Sequence, residues 1–142
     1  MEPAPLSAIR EFRPEDYETV RALWVRAGLA LRPGDDLPDL LRFVERNPGL
    51  FLVAERDGEI VGTVMGADDG RRGWVYHLAV EPRLQGRGIG RRLMAEVEAR
   101  LAARGVPKVN LHVAEGNERV VGFYRRLGYE PGGARMLGKY LR

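Results

Sequence analysis

Between Val80 and Leu93 the chain reads VEPRLQGRGIGRRL, with glycines at 86, 88 and 90 set among arginines. Glycine is the poorest ordinary residue for starting a helix, roughly 1 kcal/mol below alanine, so the stretch gives up helical stability for bare backbone. A strand that runs into closely spaced glycines and then into a helix presents N–H groups at the positive end of the helix dipole, a receptor for phosphate oxygens. Two commoner phosphate loops do not match. The nucleotide P-loop requires Gly-Lys-Ser/Thr, and the only lysines are Lys108 and Lys139. The dinucleotide fingerprint GxGxxG, begun at Gly86, requires glycine at 91, where Arg91 stands. It also opens a parallel βαβ unit, whereas hairpin patterns precede this strand. A tight turn with no ligand would use the same glycines.

Other chemistry is narrowed by what the composition lacks. The chain has no cysteine, which removes disulfides, thiolate metal ligands and a cysteine nucleophile together. Its two histidines, His77 and His112, do not form an HxxxH pair, so no metal site is expected. The net charge of +3 favours anionic ligands weakly. Arg71-Arg72, Arg91-Arg92 and Arg125-Arg126 lie on different elements without an aromatic-lined groove, a pattern of solvated faces, and no nucleic-acid partner is expected.

The elements that must position the loop follow from periodicity. Ala8 to Phe12 reads as a strand, and Pro14 with Glu15 and Asp16 opens a helix through Tyr17, Val20, Leu23, Trp24 and Ala27. Tyr17 and Trp24 could line an acceptor pocket, although aromatics at this spacing more commonly form core. A second short helix is expected from about Asp39 to Asn47-Pro48-Gly49. LFLVAER and EIVGTVMGA flank Asp57-Gly58, a two-residue hairpin signal, and WVYHLAV is a third strand leading into the glycines. Ile89, Leu93, Met94, Val97 and Leu101 mark one helical face up to Gly105; KVNLHVA is another strand. Asn117 can cap a helix ending at Gly128, and YEPGGARMLGKYL suggests one or two terminal strands. The order β-α-α-β-β-β-α-β-α-β gives an α+β fold, expected to be a single domain over residues 1–142. With 44% hydrophobic and 30% charged residues and no run of 18 apolar ones, no membrane partner is expected. MEPAPLSAIREF lacks a secretory pattern, so the expected location is cytoplasmic.

Gln85-Gly86-Arg87-Gly88-Ile89-Gly90 matches the Q/R-x-x-G-x-G/A signature of the GNAT N-acetyltransferase superfamily, and LAVEPRLQGRGIG resembles its acetyl-CoA-binding strand and loop. NERVVGFYRRLGYE resembles the family's N-x-x-A-x-x-x-Y-x-x-L-G-F/Y helix at the expected distance. LWVRAGLALRPGDD and FLVAERDGEIVGTVMG are similar to the small bacterial YpeA subgroup, and the chain also resembles RimI-like enzymes.

The resemblance implies a GNAT fold: a mixed, mostly antiparallel central sheet flanked by helices, with the fourth and fifth strands splayed. It implies acetyl-CoA as cosubstrate and an amine acceptor, small molecule or peptide, attacked directly in a ternary complex; homodimerisation is left open. Backbone at Leu78, Ala79 and Val80 would pair with the pantetheine arm. N–H groups from Gln85, Gly86, Arg87, Gly88, Ile89 and Gly90, with Arg91, would hold the pyrophosphate, and Asn117 would bond the arm or simply cap its helix. Tyr124 would be the general acid. The glutamate of the histone-lysine enzymes falls at Trp74, so that base is missing; the glutamate of the ribosomal-protein enzymes falls at His112, the expected base, with His77 and Glu115 as weaker candidates. The rival expectation is a noncatalytic acyl-CoA-binding or sensing module.

Overall fold

In a computed structural model, residues 6–141 are described; the opening MEPAP, part of the stretch read as lacking a secretory signal, lies outside them. The elements run β1 (Ala8–Glu11), α1 (Tyr17–Arg26), α2 (Leu37–Arg46), β2 (Phe51–Arg56), β3 (Glu59–Asp68), β4 (Gly73–Val80), α3 (Ile89–Ala103), β5 (Val109–Leu111) and α4 (Glu118–Arg126). Contacts gather into two compact units, one ending at Asn110 and one beginning at Leu111.

The first unit is built on a sheet of order β1-β2-β3-β4-β5. The first four strands pair antiparallel, and the hairpin between β2 and β3 turns at Asp57 and Gly58, whose φ values of 51° and 78° are those of a primed turn. After the helical crossover β5 lies parallel to β4 and splays from it, so the sheet is mixed and the class is α+β, as the family resemblance implies.

Alternation gives the sheet two buried faces. Phe51 and Val53 of β2 and Met65 of β3 share one core with Val20, Leu23 and Trp24 of α1 and Leu40 of α2, and Phe51 stacks on Phe12 at 4.3 Å between centroids. The other face carries Gly62, Gly66 and Gly73, and a Cβ there would come within 2.9 Å of Leu93, 2.5 Å of Val97 and 3.0 Å of Val106. The missing side chains let α3 lie close on the sheet. Helix α1 ends with Gly28 at φ 87°, its N–H bonded to Val25 O and that of Leu29 to Trp24 O, a Schellman stop.

Two expectations change. The strand expected over KVNLHVA stops at Leu111, and no strand forms among the described residues after α4. Pro131 lacks an N–H, Gly132 and Gly133 follow it, and the tail is exposed through Leu141, so it buries too little to fix a strand.

Candidate active site

In the first unit, β4 leads through a 3₁₀ turn at Pro82–Leu84 into the glycine loop. The turn is closed by the Gln85 side chain, whose amide donates to Val80 O at 3.3 Å. Gly86 and Gly88 then take φ values of 80° and 87°, which L side chains rarely adopt, and open space stands where each Cβ would be. Gly88 is the N-cap of α3, so no capping side chain covers the helix end. The first helical bond is from Arg92 N–H to Gly88 O at 3.1 Å, so the N–H groups of Ile89, Gly90 and Arg91 precede it and have no helical acceptor. No acidic residue stands in the first turn of α3. Arg87 and Arg91 are exposed and form no ion pair with any described residue. Cations at the positive end of a helix raise its energy, and an anion there would lower it.

Leu78, Ala79 and Val80 lie at the end of β4 that enters this loop. On one edge Ala79 pairs with Thr63 and Val80 with Gly62. On the other, Gly73 N–H bonds Lys108 O at 2.8 Å near the strand's start, and β5 ends after only three residues, short of the end of β4.

The middle of β4 is irregular. Thr63 faces Ala79 and Met65 faces Tyr76, so Val64 stands against both His77 and Leu78: a β-bulge. His77 takes a φ of 50°, uncommon for a residue with a Cβ. Regular alternation would send His77 to the α3 side with Val75; the bulge turns it to the α1 side, edge-on to Trp24 at 4.7 Å between centroids. There Nε2 lies 2.8 Å from Asp35 Oδ1, in the loop before α2. Buried Thr63 holds the bulge: its hydroxyl donates to His77 O at 2.9 Å and accepts from Trp24 Nε1–H at 2.8 Å. Trp24 is therefore core, fully buried, while half-buried Tyr17 reaches Asp35 O at 3.5 Å. His77 carries only a weak signal in the amino-acid sequence, and Asp35 carries none. Neither residue belongs to a motif, and their partnership spans 42 positions and depends on the bulge.

The second unit carries the remaining candidates. His112 is exposed just past β5, and Glu115 is exposed in the following turn. Asn117 is the N-cap of α4, but its side chain makes no capping hydrogen bond. Tyr124 is half-buried, with its ring 5.1 Å from Phe123 and 5.7 Å from Tyr129. Burial pushes its phenol up to about 12. Leu127-Gly128-Tyr129 ends the helix as a Schellman motif: Tyr129 N–H bonds Tyr124 O at 3.0 Å, Gly128 N–H bonds Arg125 O at 3.0 Å, and Gly128 has φ 96°. The Tyr129 ring on Tyr124 is the side-chain contact that accompanies such a stop.

The acetyltransferase (GNAT) family model matches residues 8–129, nearly the whole chain. The chain belongs to the GNAT family. Among solved structures, Ard1 from Thermoplasma volcanium is 24% identical with a TM-score of 0.77, over 85% of this chain and 80% of that one. Naa20 from Chaetomium thermophilum, in complex with a bisubstrate analogue, is 27% identical with a TM-score of 0.74, over 84% of this chain and 69% of that one. PaiA N-acetyltransferase from Thermoplasma acidophilum, in complex with coenzyme A, is 22% identical with a TM-score of 0.78, over 90% and 92%. For this GNAT protein, family and neighbours support acetyl transfer to amines in general. Among the described residues no helix is long and apolar enough to cross a membrane, and no cluster of three or more His, Cys, Asp or Glu is placed to hold a metal ion.

Proposed function

We propose that this GNAT protein moves an acetyl group from acetyl-CoA to the amine of a small molecule or peptide by direct attack in a ternary complex, with residues 1–142 acting as one acetyltransferase domain. The observation that carries the reading is the open glycine loop: Gly86 and Gly88 at positive φ, free space before them, and helix N–H groups beside Arg87 and Arg91, which have no acidic partner among the described residues. Backbone from Gln85 to Gly90, with Arg87 and Arg91, binds the pyrophosphate. Phosphate oxygens fit because a Cβ at 86 or 88 would occupy the approach they need.

Leu78, Ala79 and Val80 present main-chain groups to the pantetheine arm, and Asn117 adds a side-chain amide. Backbone N–H groups aimed at the thioester carbonyl stabilise the charge that develops on its oxygen as the amine attacks. Tyr124 meets the leaving sulfur. A phenol near 12 stays protonated at neutral pH. It gives up its proton only at a cost against a thiolate whose conjugate acid lies at about 8.5, so its role is to donate a hydrogen bond to the thiolate and leave final protonation to solvent.

The test is calorimetric titration with CoA, followed by thiol release from acetyl-CoA against a panel of spermidine, lysine, an aminoglycoside and short peptides with free N-termini. Micromolar CoA binding with amine-dependent thiol release and an acetylated product by mass spectrometry is expected. Binding without turnover on the whole panel would instead support an acyl-CoA-binding module.

A further inference from the structure

We propose that His77, oriented by Asp35, is the general base that takes the proton from the acceptor amine; this rests on the acetyltransferase reading above. The carboxylate of Asp35 only accepts, so the 2.8 Å contact places the imidazole proton on Nε2 and leaves Nδ1 with its lone pair. No hydrogen bond to Nδ1 forms among the described residues, and the His77 side chain is 25% exposed against 12% for Asp35. The carboxylate is thus the covered half of the pair and the imidazole the half that solvent or a ligand reaches.

Three features converge on this role. The bulge turns His77 off the α3 face, and bulges of this kind re-aim side chains beside active sites. The φ of 50° is held by the Trp24–Thr63–His77 chain of hydrogen bonds, so the surroundings over-determine a sparsely populated conformation. His77 also immediately precedes Leu78, the first residue of the edge proposed to receive the thioester arm. A histidine whose second nitrogen is fixed by a carboxylate has a defined tautomer and orientation, which general-base work requires.

The step balances as follows. The amine nitrogen bonds the acetyl carbon, its proton passes to His77 Nδ1, the carbon–sulfur bond breaks, and the sulfur leaves as a thiolate hydrogen-bonded by Tyr124. The imidazolium then returns its proton to solvent, from which the thiolate takes one. Asp35 is a positioning residue, since it acts through His77. The groups facing His77 are Asp35 from the loop before α2, Trp24 from α1, Thr63 from β3 and Tyr76 next to it on β4, and Asp35 is the one carrying a charge at neutral pH.

The experiment joins ring nitrogen-15 NMR with kinetics. The chain has two histidines, so His112→Gln assigns the spectrum. His77 should show the Nε2–H tautomer in wild type, and Asp35→Ala should move its Nε2 resonance as the hydrogen bond to the carboxylate is lost. With the best amine of the panel, His77→Gln should lower kcat by about 10²- to 10⁴-fold and remove a limb rising through the imidazole range, with CoA affinity within about twofold. Asp35→Asn should lower kcat by about tenfold, and Asp35→Glu should restore part of it. A His77→Gln variant that binds CoA and keeps wild-type kcat and the limb overturns the proposal and leaves the acetyltransferase reading intact; so does an Nδ1–H tautomer at His77. If His77→Gln does not fold, Asp35→Asn decides, and unchanged kcat there overturns the dyad. Wild type that binds CoA but acetylates nothing overturns the base together with the acetyltransferase reading, an outcome distinct from the other two.

Discussion

Replacing Gly62 by alanine tests whether the seat of α3 controls the loop at its start. The added Cβ would lie 2.9 Å from Leu93 Cδ1, 3.2 Å from Ile89 Cγ2 and 3.2 Å from Ala79 O. Carbon atoms settle at about 3.5–4.0 Å, so the overlaps approach an ångström. Leu93 can swing its methyl away. Ala79 O is fixed in the sheet and Ile89 is stiff at χ1, so the first turn of α3 must rise by a few tenths of an ångström. Overpacking of this kind costs about 1–3 kcal/mol, and the narrower unfolded ensemble of alanine returns about 0.4–1. The net loss of about 1–2 kcal/mol corresponds to a Tm lowered by roughly 3–8 °C at this chain length. Because Ile89 directly follows Gly88, CoA affinity should also fall, by about 3- to 10-fold, or roughly 0.7–1.4 kcal/mol. Gly66→Ala is the control: its Cβ would meet Val97 Cγ2 at 2.5 Å, eight residues and about 12 Å further along α3. It should destabilise at least as much while leaving CoA affinity within about twofold. Calorimetric melting and CoA titration of both variants decide. Wild-type melting and affinity in Gly62→Ala would refute the close seating, and equal losses of affinity in the two variants would refute its local effect on the loop.

Gly88→Val should fold with a modest drop in Tm, since no protein atom lies within 4 Å of the new Cβ, yet lose CoA affinity severely by titration because the side chain fills the approach and strains a φ of 87°. Tyr124→Phe keeps the ring contacts with Phe123 and Tyr129 and removes the donor, so kcat should fall by about 10- to 1000-fold in steady-state assays, with CoA affinity and Tm nearly unchanged.

The fold was legible where a local pattern decides it. Asp57-Gly58, the apolar runs on either side, Gly105 and Leu127-Gly128-Tyr129 each carry their structural consequence within a few residues, and all form as read. The loop at 85–90 was legible for the same reason, because an N-cap glycine at positive φ is a local requirement. The length of β5 was not, since strand pairing depends on a distant partner, and KVNLHVA alternates well enough to suggest seven residues where three form. Asp35 was illegible for a similar reason. It reads as one of several loop carboxylates in RPGDD, and only the turn of His77 in the bulge gives it a partner.

The extra residue in β4 also fixes where the strand can tolerate insertion or deletion. Val75 pairs with Gly66 on the α3 side and Ala79 pairs with Thr63 on the α1 side, although four positions of regular strand would put both on one side. The apolar pattern before the bulge and the one after it are therefore out of phase by one. Deleting His77 or Leu78 would bring them into phase, and plain alternation would then keep Val75 on the α3 side and Ala79 on the α1 side with no bulge. Packing of β4 therefore does not demand the odd residue, and its presence leaves one side chain, that of His77, aimed against the alternation. The bulge thus provides a place for a reactive group that core packing by itself leaves optional.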